Sequence, residues 1–147
     1  ARWVRAGGGV MTTIGYTNDE AGEVVNVNRL LAPFGAGYNA NRVELGGYIE
    51  SWQPHPLTAE VSRIFTANGI EPDGNNGLTL ARDSNDRVAL QIAELGRGRV
   101  VVWGDEWITY DSEWMDVQDQ QVERFWLNIL KWTSPPKICQ VPIKGPD

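Results

Sequence analysis

A short apolar run with an abrupt stop constrains this chain more than any other feature. Leu95 to Trp114 reads Leu-Gly-Arg-Gly-Arg-Val-Val-Val-Trp-Gly-Asp-Glu-Trp-Ile-Thr-Tyr-Asp-Ser-Glu-Trp. Val100 to Trp103 has the length and β-branched content of a strand buried on both faces, and Gly104 ends it. Beyond it, Asp105, Glu106, Asp111 and Glu113 interleave with Trp107, Tyr110 and Trp114. Ligands of open α/β sheets gather just outside the carboxyl ends of the strands. This loop is therefore the first place to look for a site.

The rest of the chain supplies the elements around it. Ala1 to Ala6 reads as one helical turn closed by Gly7-Gly8-Gly9, and Val10 to Tyr16 as a strand. Thr17-Asn-Asp-Glu20 fits a capping box. The helix it opens carries Val24, Val27, Leu30, Leu31 and Phe34 as its apolar face. Asn41 to Trp52 is extended with a bend at Gly46-Gly47, and Val61 to Ala67 is a strand or a helical turn. Leu78 to Ala81 is a short strand. Val88 to Leu95 and Arg99 to Trp103 are strands joined tightly through Gly96-Arg-Gly98 as a hairpin. The last helix has Val122, Phe125, Trp126, Ile129 and Leu130 as its stripe. Asp116 or Asp119 is positioned to cap it, and Ser134-Pro-Pro136 ends it.

A chain of 147 residues with 41% hydrophobic content suits one domain with a real core. Residues 1–133 form that α/β domain and residues 134–147 a tail or linker. The net charge of -6 and the scattered Lys and Arg exclude a phosphate-tracking surface, so no nucleic-acid partner is expected. No apolar stretch approaches the roughly 18 residues of a membrane span. Gly7-Gly8-Gly9 lacks the following Lys-Ser/Thr of a phosphate loop. Cys139 stands alone, which leaves a free thiol or a bridge to sequence outside this chain. The chain starts at Ala1 rather than Met, so the absence of a signal peptide says little about compartment, and an extracytoplasmic one is the expectation.

The acidic loop supports three chemistries. Two of its carboxylates could form a glycosidase pair, or the four acids could hold a divalent cation through oxygen. They could also be solvated acids that cap the last helix. The interleaved Trp107 and Trp114, with Trp52 elsewhere, either pack inward or offer ring faces to sugars whose hydroxyls the acids would take. His55, held between Pro54 and Pro56, is either hydrogen-bonded to backbone or acts as a general base or ligand.

In order along the chain, five segments carry a resemblance. They are Trp3-Val-Arg-Ala-Gly-Gly-Gly-Val10, Asn28-Arg-Leu-Leu-Ala-Pro-Phe-Gly35, His55-Pro-Leu-Thr58, Gly96-Arg-Gly-Arg-Val-Val-Val-Trp-Gly-Asp105 and Phe125-Trp-Leu-Asn-Ile-Leu-Lys-Trp132. The chain resembles the class I glutamine amidotransferase-like superfamily in its non-amidotransferase branches. These include trehalose-utilisation-like proteins and the amidotransferase-like domain of an intraflagellar transport subunit. The resemblance implies a flavodoxin-like three-layer α/β sandwich, incomplete at its N-terminus. A β-α-β portion would normally precede Trp3, so a missing N-terminal segment or a second chain would complete the sheet. Members that transfer amide nitrogen use a Cys nucleophile at a strand-to-helix elbow. The corresponding elbow here, Gly15-Tyr16-Thr17, has neither Cys nor Ser, so glutamine amidotransferase activity is not expected.

The expected function is a non-catalytic binding or assembly module of a larger protein, with carbohydrate as a candidate ligand. Its ligand-binding candidates are Trp52, Asp105, Glu106, Trp107, Asp111 and Trp114, and no cofactor is expected beyond the cation alternative. The competing expectation is a hydrolase or carbohydrate-active enzyme that uses His55 with Asp105 or Glu106.

Overall fold

The structure, a computed structural model, describes residues 1–15, 20–115 and 119–134. The chain begins with a one-turn helix α1 (Arg2–Arg5), strand β1 (Gly9–Thr12) and helix α2 (Glu20–Leu31), which a 3-10 turn extends over Ala32–Phe34. Strands β2 (Glu44–Ile49), β3 (Ser51–Trp52), β4 (Ile64–Ile70), β5 (Leu78–Arg82), β6 (Val88–Leu95) and β7 (Gly98–Trp103) follow. A 3-10 turn at Trp107–Thr109 leads to the short helix α3 (Asp111–Met115) and the closing helix α4 (Val122–Thr133).

The fold is mixed α/β. Its main sheet has five strands in the order β1-β7-β6-β5-β3, with β1 parallel to β7 and every other pair antiparallel. A second sheet pairs β2 with β4. The expected hairpin joins β6 to β7, with Gly96 at φ 64 in the turn. Each side chain from Val100 to Trp103 is at most 1% exposed, as the run's composition required. Successive strand residues face opposite ways. Val100 and Val102 therefore join Val24, Leu31 and Phe34 in one core, while Val101 and Trp103 join Phe125, Ile129 and Trp132 in the other. Burial of each valine contributes on the order of 1.5–3 kcal/mol, so β7 is the strand the molecule can least afford to displace.

Several expected details differ. β1 stops at Thr12 rather than reaching Tyr16. Thr12 is in register with Val102, and β7 has only Trp103 left to pair before Gly104 turns away. Leu30 and Leu130 leave the apolar stripes and are 59% and 57% exposed. At about 100° per residue, each points well away from the arc that Val24 and Leu31, or Val122 and Ile129, direct into the cores. Asn28 and Asn128 face inward instead: Asn28 clamps both backbone groups of Tyr38 at 2.8 and 2.7 Å, and Asn128 donates to the Leu57 and Ala59 carbonyls.

Asp119 does not cap α4. It pairs with Arg63, while Gln121 occupies the N-cap position and its side-chain oxygen accepts from the backbone of Ser62 and Arg63. The Thr17 cap, the Gly15-Tyr16-Thr17 elbow beyond Gly15, Asp116 and the tail with Cys139 fall outside the described residues.

β4 is a full strand that carries an irregularity. Leu45 pairs with Gly69 and Gly46 with Ala67, so Asn68, at φ 60, is the extra residue of a bulge. Just past it, Ile70 N–H donates to the Gly104 carbonyl at 2.6 Å. The small sheet thus leans against the carboxyl end of β7.

Candidate functional site at the carboxyl edge of the sheet

Beyond Trp103 the backbone is pinned before it reaches any candidate side chain. Gly104 donates to the Ala89 carbonyl and accepts from Ile70. The buried Tyr38 hydroxyl donates to the Trp103 carbonyl at 2.9 Å and lies 3.1 Å from Thr12 Oγ1. It ties the ends of the parallel strands β1 and β7 together. Burial raises the Tyr38 phenol above the ordinary tyrosine range, so at neutral pH it is a neutral donor.

Asp105 is fully buried. One carboxylate oxygen accepts from Trp107 N–H at 2.9 Å and the other from Ala67 N–H beside the β4 bulge. Burial pushes its carboxyl up to about 7, against the opposing pull of these backbone N–H groups and that of Glu106. Asp105 is therefore a brace between β4 and the 3-10 turn. It has no surface with which to touch a ligand.

Glu106 and Tyr110 are the reachable groups here. The Tyr110 hydroxyl donates to Glu106 Oε1 at 3.1 Å, and that hydrogen bond raises the phenol. A Cβ at Gly15 would collide with the Glu106 side chain, so the loops after β1 and β7 meet at this point. Trp107 lies edge-on to Phe65 at 6.3 Å and to Tyr110 at 5.5 Å; Tyr48 continues the row on the far side of Phe65. Trp114 turns the other way. Its ring stacks on Trp126, and both indole N–H groups donate to the Ile108 carbonyl. Asp111 is exposed in the first turn of α3.

The structure thus gathers Asp105, Glu106, Trp107 and Tyr110 on one flank of the turn and places Trp114 on the other. It does not bring in Trp52 or His55. Trp52 stacks on Trp103 at 6.2 Å, meets Phe125 edge-on and spends its N–H on the Ile49 carbonyl. His55 Nδ1 accepts from Leu57 N–H at 3.1 Å, and its ring lies edge-on to Trp132, over which Arg99 also sits. Desolvation lowers the His55 imidazole, with Glu94 opposing and Arg99 assisting. Arg99 is the second residue of β7 and Asp105 follows its end, a span on the order of 20 Å in extended chain. His55 thus lies towards the start of the central strand, whereas Asp105 and Glu106 follow its end.

Among the described residues no group of three His, Cys, Asp or Glu side chains is disposed to hold a metal ion. A cavity of about 420 Å3 lies beside β3 and β5, lined by Ser51, Gln53, Leu78 and Arg82 among others. It contains neither a carboxylate nor an aromatic ring, and it is remote from the loop. Sequence reasoning missed Asn28, Tyr38 and Gln121. Asn28 had a readable signal, a polar residue one turn after Val24 and one before Leu31 on the same face.

No family model matches the chain, and no curated protein does. Among solved structures it is similar to the Salmonella typhimurium LT2 cytoplasmic protein STM1381, with a TM-score of 0.68 at 20% identity over 90% of this chain. It is also similar to the mmIFT52 N-terminal domain, with a TM-score of 0.64 at 13% identity over 89% of this chain. The chain spans 58% of the first and 68% of the second. At these identities the likeness is one of fold.

Proposed function

We propose that this chain is a non-catalytic binding or assembly module of a larger protein, built as an amidotransferase-like, flavodoxin-like three-layer sandwich. The fold part of the reading is supported by a core on each face of the sheet and by the likeness to the mmIFT52 N-terminal domain.

The observation that carries the function is the outer edge of β1. Among the described residues β1 pairs with β7 alone, and all of Gly9–Thr12 remain partly exposed although Val100, Val101 and Val102 beside them are buried. Trp3, 65% exposed, lies over Gly8 at the entrance to that edge. An edge with free N–H and C=O groups beside apolar surface is a template for strand addition. The occupant is a strand from further sequence of the same protein or from a second chain.

Hydrogen exchange tests this directly. The outward amides of Gly9–Thr12 should exchange rapidly in the 147-residue chain and become protected in the intact assembly. Equal, rapid exchange in both would sink the assembly reading. Catalysis is tested separately. Any turnover on a glycan or ester panel that falls with His55→Ala would restore the enzyme alternative.

A further inference from the structure

We propose that the cavity beside Trp114 is a glycan subsite, in which one sugar ring stacks on the exposed indole face and hydrogen-bonds to the side chains around it. This deepens the binding-module reading and rests on it.

The indole is organised before any ligand arrives. Trp114 is 48% exposed, yet its N–H is committed to the Ile108 carbonyl at 2.9 Å and its other side stacks on Trp126 at 6.4 Å and 29°. Trp126 donates to the same carbonyl at 2.7 Å. With the N–H spent internally, what Trp114 offers a ligand is an apolar ring face in a fixed orientation. Leu127, 40% exposed, extends that apolar floor. A rigid aromatic platform avoids most of the ordering cost of binding.

The rim identifies the class of ligand. Glu113 and Glu123 supply acceptors and Gln120 and Gln121 supply donors, while Arg124, which pairs with Glu60 at 3.0 Å, adds its remaining N–H groups. Gln120 Oε1 is anchored by Phe65 N–H at 2.6 Å and Gln121 Oε1 by Arg63 N–H at 2.8 Å. Among the described residues their amide nitrogens make single contacts of 3.4 and 3.2 Å, to Glu113 and to the Asp119 carbonyl. Each NH2 therefore keeps a hydrogen for a ligand. Hydroxyls donate and accept, so a polyhydroxylated ring with an apolar face matches a mixed rim over an indole. An anion would meet both glutamates, and the cationic alternative is separated by the arginine arm of the test below. The cavity holds about 300 Å3, the small end of the roughly 300–1,000 Å3 range of ligand pockets. That suits a single ring or a chain end.

The test is a titration of the full 147-residue chain, followed through the indole N–H signals by NMR, with cellotriose, maltotriose and chitotriose. N-acetylarginine amide serves as a cationic probe. The expected result is a saturable shift of the Trp114 and Trp126 signals with at least one glycan, while the exposed Trp3 signal stays still. Trp114→Ala should weaken binding at least tenfold, and so should Leu127→Glu, an exposed substitution that leaves the core intact. Trp3→Ala should change nothing. The proposal is overturned if none of the glycans gives a saturable shift, if affinity survives both Trp114→Ala and Leu127→Glu, or if only the arginine amide saturates. Its failure is distinguishable from failure of the assembly reading, because exchange protection at β1 does not depend on this cavity.

Discussion

Asp105 shows how a residue chosen for its position in the sequence acquires a different role from its surroundings. An acid just past a buried strand invites a catalytic reading, but complete burial and acceptance from Ala67 and Trp107 make it a brace. Its carboxyl is raised from 3.8 to about 7 by burial. Between those values the unfolded chain has released the proton and the native chain retains it, so unfolding releases a proton. The Asp105 contribution to stability is thus greatest below about pH 4, falls as pH rises to about 7, and is level above that. Asp105→Asn should remove this dependence, flattening a slope that approaches about 1.4 kcal/mol per pH unit, as read from urea denaturation across that window. Tyr38 offers a cleaner deletion. Tyr38→Phe leaves the Trp103 carbonyl without its donor and should cost on the order of 1–2 kcal/mol in the same measurement.

At the scale of elements, the bulge in β4 and its contact with the end of β7 build the site. Asn68 displaces the strand so that Ala67 N–H reaches Asp105, and Gly69 then passes against the Gly104 carbonyl. A Cβ at Gly69 would fall well inside van der Waals contact with that backbone oxygen. Gly69→Ala should therefore destabilise by about 1–3 kcal/mol and disturb the environment of Trp107. The checks are the denaturation midpoint and the near-ultraviolet circular dichroism. The β6–β7 hairpin was legible because its turn glycines and apolar run are local signals. The β4 bulge was not, because Asn68 in a left-handed conformation follows from pairing with Leu45-Gly46, more than 20 residues away in sequence. The helical stripes were read one residue too wide for a related reason. Periodicity locates an apolar arc, but the neighbouring strand decides where that arc ends.

At the scale of the molecule, the main sheet divides the core in two, and β7 contributes alternate side chains to each half. A strand so placed belongs to the most stable cooperative unit, whereas β1, among the described residues, has a partner on one side only. The exchange experiment at Gly9–Thr12 reads that asymmetry at the same time as it tests the assembly proposal. The ordering should run from protected β7 amides to the least protected outward amides of β1. The mixed sheet also explains why His55 and Asp105 belong to different regions. The His55 loop packs on Trp132 near the start of β7, and the acidic loop leaves its far end.

The sequence by itself determined the buried identity of Val100 to Trp103, the hairpin before it, the final helix and the concentration of acids and aromatics that follows β7. Each rests on composition or periodicity within about 20 residues, where local propensity and burial point the same way. Only the tertiary structure decided which of those acids and rings face water. Asp105 lost its solvent to β4, and Trp52 was drawn onto Trp103. Trp114 kept an open face because Ile108 and Trp126 hold it from behind. Burial is a property of what packs across the chain, and no local pattern carries it.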